Sequence, residues 1–403
     1  MFERVFKLSE HKTTVKTEVM AGITTFMTMA YILAVNPSVL GSTGMDTTAV
    51  LLATALASCL GTLCMAFMAN LPFALSAGMG LNAFMAYTVV AGYGYSWQVA
   101  LLAVFIEGLI FIVLSLTNIR EAIFNAIPLT LKKGVSVGIG LFIAFIGLQN
   151  SGLCVDSATL VGIISFPENF HTAGICALLT LIGLFFTAVF YTRKMKGAIL
   201  YGILLTWILG MLCQVTGLYV PTPDAGFYSL FPSWGMTDFS RLGLTFGQCF
   251  NVDFSAVGIV NFIVVIFSFL FVDIFDTLGT LIGVATKAKM LDKDGKLPGI
   301  KPALLADSIA TSAGAILGTS TTTTFVESAS GVAVGGRTGL TALVTGILFL
   351  VSTLFAPIFT AIPSFATAPA LIMVGFLMVG TVTEINFDLD NLTESIPAYL
   401  AII

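Results

Sequence analysis

Two groups of acidic and hydroxyl residues sit inside long apolar runs of this sequence. The first is FVDIFDTLGT (271–280), where Asp273, Asp276 and Thr277 lie three and four residues apart. A helix therefore places all three on one face. The second is STTTTFVESASGVAVGG (320–336). Its four threonines and Phe325 form a β-branched, aromatic run that resists helix. Glu327 follows at once, and then a small-residue tract suited to close helix packing. An acid at membrane depth costs about 2.5–3.5 kcal/mol on insertion scales, so it is a functional candidate by default. A carboxyl kept from water can also exchange a proton near neutral pH.

Each of these residues has a plainer use. Glu327 can cap the following helix, because acids favour helix N-termini. Asp273 and Asp276 can be hydrogen-bond staples between helices, for instance to the threonine run. Asn82, in GMGLNAF, can bond a ligand or satisfy broken backbone. Phe325 can stack on a flat ligand, but with 34 phenylalanines in the chain it can equally be core. Glu107 and Asp307 are intramembrane acids without a motif around them, and read as structural or proton-coupling groups rather than ligand contacts. Arg337 reads as a topological anchor. Together these residues suit a ligand that both donates and accepts hydrogen bonds. They also suit a cation.

The elements that must position them are membrane spans. The chain has 403 residues, 57% hydrophobic and only 9% charged, with a mean hydropathy of +1.01. A soluble domain carries about 25% charged residues, so this is an all-α polytopic membrane protein. The two histidines and six scattered cysteines give no metal-ligand spacing. No nucleophile–base pair suggests an enzyme, no cofactor motif is present, and nothing points to nucleic acid. The charged N-terminal stretch is too long for a signal peptide.

Apolar runs mark spans at 19–40, 48–69, 97–116, 134–148, 173–191, 198–218, 256–286, 302–318, 340–362 and 366–382. Two further spans are broken: the third, opening at 73–82, and the tenth, at 320–336. The polar loops are 149–171 and 219–255. The basic, amphipathic stretch 118–133 is expected along the interface, and 287–301 is a charged loop. With a cytoplasmic N-terminus, 16 of the 17 basic residues fall inside and only Arg241 falls outside, as the positive-inside rule requires.

Phe73-x-x-Ser76-Ala77 recurs as Phe325-x-x-Ser328-Ala329, an offset of 252 that also carries Ala21 onto Asp273. Seven spans per repeat is an odd number, so the second copy is inverted. Inverted repeats with paired broken helices are a transporter signature, with the site between the breaks. Residues near 73–77 and 322–326 are thus expected to be extended and adjacent. A channel is the alternative class, but paired breaks favour alternating access. An anion transporter of the same architecture would want a basic residue where this chain has Glu327.

AGITTFMTMAYILAVNPSVL, GMGLNAF, FVDIFDTLGTLIGVA, LLADS and GTSTTTTFVESASGVAVGGRTGLTA resemble the purine (adenine/guanine/hypoxanthine) permease branch of the nucleobase–cation symporter family. The resemblance runs over the whole chain. It implies two inverted seven-span repeats with short antiparallel strands in spans 3 and 10. It implies a core domain (1–117 and 253–362) and a gate domain (118–252 and 363–403). The implied activity is proton-coupled uptake of a purine base across the plasma membrane, by a homodimer. Asp273 and Glu327 would hold the purine and Asn82 would contribute. Thr277, Phe325, Val326, Ser328 and Ala77 would line the site. Asp276 would serve transport, with Glu107 and Asp307 as further proton-coupling candidates. The family has fourteen spans, and this chain ends in the thirteenth. The acidic stretch 384–390 fits the family pattern, so truncation of the second gate portion is expected.

Overall fold

A computed structural model of the chain describes residues 2–117, 119, 128–157, 160–167, 169–222, 226–232, 235–253, 257–287, 290, 297–385, 387 and 392–403. The helices are α1 (Phe2–Phe6), α2 (Val15–Met29), α3 (Ile32–Gly41), α4 (Thr47–Cys64), α5 (Met79–Ala83), α6 (Trp97–Leu116), α7 (Leu129–Asn150), α8 (Ile175–Thr192), α9 (Ala198–Val215), α10 (Ile259–Lys287), α11 (Ile300–Leu317), α12 (Ser328–Val334), α13 (Gly339–Ser352), α14 (Ser364–Val379) and α15 (Leu392–Ile402). The strands are β1 (Leu75–Ala77), β2 (Cys154–Ser157), β3 (Leu160–Ile163) and β4 (Thr322–Thr324). Among the described residues, ten helical segments are long and apolar enough to cross a membrane. The protein is a multi-pass membrane protein.

The chain forms two compact units, Met1–Lys132 with Thr237–Ala356, and Lys133–Met236 with Pro357–Ile403. In the second, α8 and α9 approach through small residues: a Cβ on Gly202 would overlap Thr187, and one on Gly183 would overlap Thr206. α14 packs on both helices, and Thr180 Oγ1 donates to the carbonyl of Phe365 at 2.9 Å.

The first unit contains the two broken spans. β1 and β4 pair antiparallel, Leu75 with Thr324, Ser76 with Thr323 and Ala77 with Thr322. Two further bonds lengthen the ladder, from Gly78 N to Thr321 O (2.9 Å) and from Phe325 N to Ala74 O (3.0 Å). The expected pair of facing extended segments is therefore present. A two-stranded ribbon has two open edges, and in a membrane such edges must be satisfied within the protein. Threonines do it here. Thr62 Oγ1, on α4, lies 3.0 Å from Leu75 N and 3.2 Å from Leu75 O. Thr311 Oγ1, on α11, donates to Thr322 O at 3.0 Å. The end of α11 is closed the same way. Gly318, at φ +104, turns the chain into the strand. Gly247 N caps Ile316 O, and Thr245 Oγ1 caps Leu317 O.

Several boundaries differ from the sequence reading. The first span begins at Val15, not 19, and bends between α2 and α3. Pro37 lies within α3 and leaves the carbonyl of Leu33 without its helical N–H, while the break itself falls earlier, at Ala30–Tyr31. Span five starts earlier, at Leu129, and so takes in Lys132 and Lys133. The polar loop 149–171 contains the β2–β3 hairpin. The repeat offset of 252 does not superpose the breaks: β1 maps onto β4 at 247, while α4 maps onto α11 at 253. Ser76 and Ala77 are strand residues, whereas Ser328 and Ala329 open a helix. Most of 118–133, 287–301 and 384–390 lies outside the described residues.

One buried acid ties the N-terminal end of the first span to the segment around Arg337. Glu18, at the start of α2, is fully buried. It accepts bonds from the N–H groups of Arg337 (2.9 Å), Thr338 (3.3 Å) and Thr341 (3.2 Å), and from Thr341 Oγ1 (2.6 Å). It thereby caps α13 and ties it to α2. Glu18→Ala would orphan the N–H groups of Arg337 and Thr338, each costing about 1–3 kcal/mol when buried, while Thr341 N keeps the carbonyl of Thr338 and Thr341 Oγ1 that of residue 18. The expected result is a loss of about 3 kcal/mol or more in stability, with Glu18→Gln milder. Thermal unfolding of the detergent-purified protein measures it.

Candidate functional site

The run from Thr319 to Thr324 is buried throughout, with exposures of 0–1%. Four of its hydroxyls tie the run to surrounding helices, while Thr322 Oγ1 and Thr324 Oγ1 make no hydrogen bond among the described residues. Thr319 Oγ1 accepts from Asn36 Nδ2 (2.9 Å) and lies 3.2 Å from Thr54 Oγ1, linking α3 and α4. Ser320 donates to Asn82 Oδ1 on α5. Thr321 donates to Glu107 Oε2 on α6 at 2.8 Å. Thr323 donates to Asp276 Oδ2 on α10 at 3.1 Å. A charged acceptor makes such a bond stronger than a neutral one. The strand is thus a hub to which five surrounding helices are fastened.

The acids fall into two environments. Asp273 and Asp307 are fully buried, and Thr277 Oγ1 stands between them, 2.8 Å from Asp273 Oδ1 and 3.1 Å from Asp307 Oδ1. A hydroxyl has one proton to give. Its one proton is therefore shared between the two carboxyl oxygens. Asp276, one turn further along α10, is only half-buried. It faces β4 and the turn at Gly78, where an added Cβ would come within 3.3 Å of its Oδ2. Gly78 is small because the carboxylate needs that space.

Glu327 occupies the N-cap position of α12, but its side chain makes no capping bond. Instead Oε1 accepts from Tyr31 Oη at 2.7 Å. The residue is half-buried and its neighbour Val326 is 55% exposed. The other expected lining residues are spoken for. Phe325 is 6% exposed, and its N–H is used in the ladder. Ser328 Oγ accepts from Ala74 N at 3.0 Å. Ala77 is buried in β1. Asn82 Nδ2 is buried with no hydrogen-bond partner among the described residues, a donor still to be satisfied. Arg337 Nη1 closes the end of α12 through the carbonyls of Val332 and Gly336, both at 2.7 Å.

Two participants were not legible beforehand. Tyr31 looks like any aromatic in an apolar run. The other is Thr321, the partner of Glu107, 214 residues away, a distance that no local pattern reports. The threonine-run bond expected of Asp276 is present at Thr323.

Residues 16–400 match the "Permease family" profile of xanthine/uracil permeases. The chain belongs to the xanthine/uracil permease family. It is 46% identical over 408 residues to the guanine/hypoxanthine permease PbuG of Bacillus subtilis (strain 168), covering 99% of this chain and 88% of that one. To the adenine permease AdeQ of Escherichia coli (strain K12) it is 42% identical over 400 residues, covering 98% and 84%. Among solved structures, the transmembrane domain of the cyanobacterial bicarbonate transporter BicA aligns with a TM-score of 0.68 at 15% identity, covering 96% of this chain and 94% of that one. That likeness establishes the shared transporter fold.

The Thr277 bridge gives a direct test. Thr277→Val removes the hydroxyl and keeps the shape, leaving Asp273 and Asp307 without their common partner. A stability loss of roughly 2 kcal/mol is expected, together with loss of transport. Thr277→Ser should restore both. Melting temperature and uptake in the same preparations report the two effects.

Proposed function

We propose that this permease imports purine nucleobases by proton symport, with the unit built from Met1–Lys132 and Thr237–Ala356 as the substrate-carrying core and the other unit as the gate. One observation supports this most strongly. At the strand crossing a half-buried carboxylate, Glu327, has one oxygen held by Tyr31 and takes no other side-chain bond among the described residues. A purine base carries ring N–H donors that suit such an acceptor, and its carbonyl or amino groups suit nearby hydroxyls and the free amide of Asn82. The relatives' names point the same way, as adenine and guanine/hypoxanthine permeases. An anion would instead meet Glu327 and Asp276, while the nearest cation of this stretch, Arg337, is bound to helix carbonyls.

Asp273 is the proposed second acceptor for the base. It is covered in this structure, so engagement requires that cover to part. Asp276 is the proposed coupling acid. It is half-buried, and its one side-chain partner is a neutral threonine, so it can exchange a proton with the site. Protonation would remove a charge that resists passage of the loaded carrier. Glu107 and Asp307 are the alternative proton carriers. The distribution of basic residues supports a cytoplasmic N-terminus, and a plasma-membrane location and a homodimer are part of the same proposal.

A binding screen with radiolabelled adenine, guanine, hypoxanthine and uracil tests the substrate. Purines should bind and uracil should not; uracil alone binding would refute the reading. Glu327→Ala should lower purine affinity up to about a hundredfold, the cost of an unpaired buried donor, while the protein still folds. Asp276→Asn should keep purine binding and lose accumulation against a gradient. Unchanged accumulation and pH dependence in Asp276→Asn would move the proton to another acid.

A further inference from the structure

We infer that Tyr31 is a positioning residue of the substrate site, holding one oxygen of Glu327 so that the other faces the ligand. This rests on the nucleobase reading above. Tyr31 sits at the bend of the first span and is 1% exposed, so its ring has no freedom to swing. Its backbone is fixed as well: its carbonyl accepts from both Ala34 N and Val35 N at 3.0 Å. The bend aims the hydroxyl at Glu327 Oε1, 2.7 Å away.

The contact is one of three made by a polar stripe on α2 and the bend. Thr25, Thr28 and Tyr31 recur at intervals of three and all meet α12 or its cap. Gly331 has no room for a Cβ against Thr25 Oγ1, and Thr28 Oγ1 lies 3.5 Å from Glu327 O. The first span therefore sets where Glu327 stands and how it is turned. The choice of a phenol matters chemically. A lysine or arginine would fix the carboxylate but neutralise it. A phenol donates one hydrogen bond and leaves the remaining lone pairs to accept N–H groups from a base. Fixing the acceptor beforehand also spares the ligand the entropy of ordering it.

The test is a double-mutant cycle on the full purified chain, using Tyr31→Phe, Glu327→Asp and both together. The ligand is whichever of adenine, guanine or hypoxanthine binds the wild type most tightly. Melting temperatures confirm that each variant is folded. Tyr31→Phe should weaken binding about tenfold, as expected for a bond to a charged group, with little change in melting temperature. Glu327→Asp draws the carboxylate back out of reach of Tyr31. In that background the Tyr31→Phe change should cost less than about twofold. Equal losses in both backgrounds, or wild-type affinity in Tyr31→Phe, would overturn the positioning role alone. Failure of the wild type to bind any of the three bases would overturn the nucleobase reading and this inference with it.

Discussion

An extended backbone in the middle of a membrane protein must find every hydrogen bond inside the protein, because lipid supplies none. The pairing of β1 with β4 meets half of that demand and leaves two ribbon edges. Hydroxyls meet part of the rest: Thr62 and Thr311 on the edges, Thr245 at the end of α11. The same solution runs outward from the strand. Thr319, Ser320, Thr321 and Thr323 each tie a neighbouring helix to it. A serine–threonine run is the composition that does this. It is β-branched enough to stay extended, small enough to be surrounded, and supplies a donor at each position.

The acids follow from that arrangement. Glu107 and Asp276 are acceptable at this depth because the strand offers each a donor. Asp273 and Asp307 share the hydroxyl of Thr277. Glu327 differs, since its partner is a tyrosine from the first span and its surroundings are more open. Two kinds of carboxyl thus coexist within one unit. One kind is buried and locked, and the other is half-buried with a single neutral partner. Glu327 and Asp276, the proposed ligand acceptor and coupling acid, are of the second kind, while Asp273 is of the first and must be uncovered to act.

Much of this fold was legible in the residues. Hydropathy marked the spans, and the recurring Phe-x-x-Ser-Ala with the threonine run marked the two breaks and their extended character. The register was not legible. A five-residue match suggested an offset of 252, but Ser76–Ala77 lie in a strand while Ser328–Ala329 lie in a helix, and the strands correspond at 247. Loops of unequal length shift each element separately, so no single offset holds. Glu18 was hidden among the charges of the N-terminus, although it is buried and caps α13. The candidate site was legible as a set of acids on two spans. Tyr31 was not, because an aromatic in an apolar run has no distinguishing neighbour and its partner lies 296 residues away.

The central claim is that the strand crossing presents a carboxylate to a purine base. A structure of the full chain with its tightest-binding purine tests this most directly. The account predicts the base against Glu327 beside Val326, with Tyr31 still bonded to the other carboxylate oxygen, Asp273 uncovered toward the base, and β1 and β4 still paired. A base bound away from Glu327, or held without contact to either acid, would contradict it.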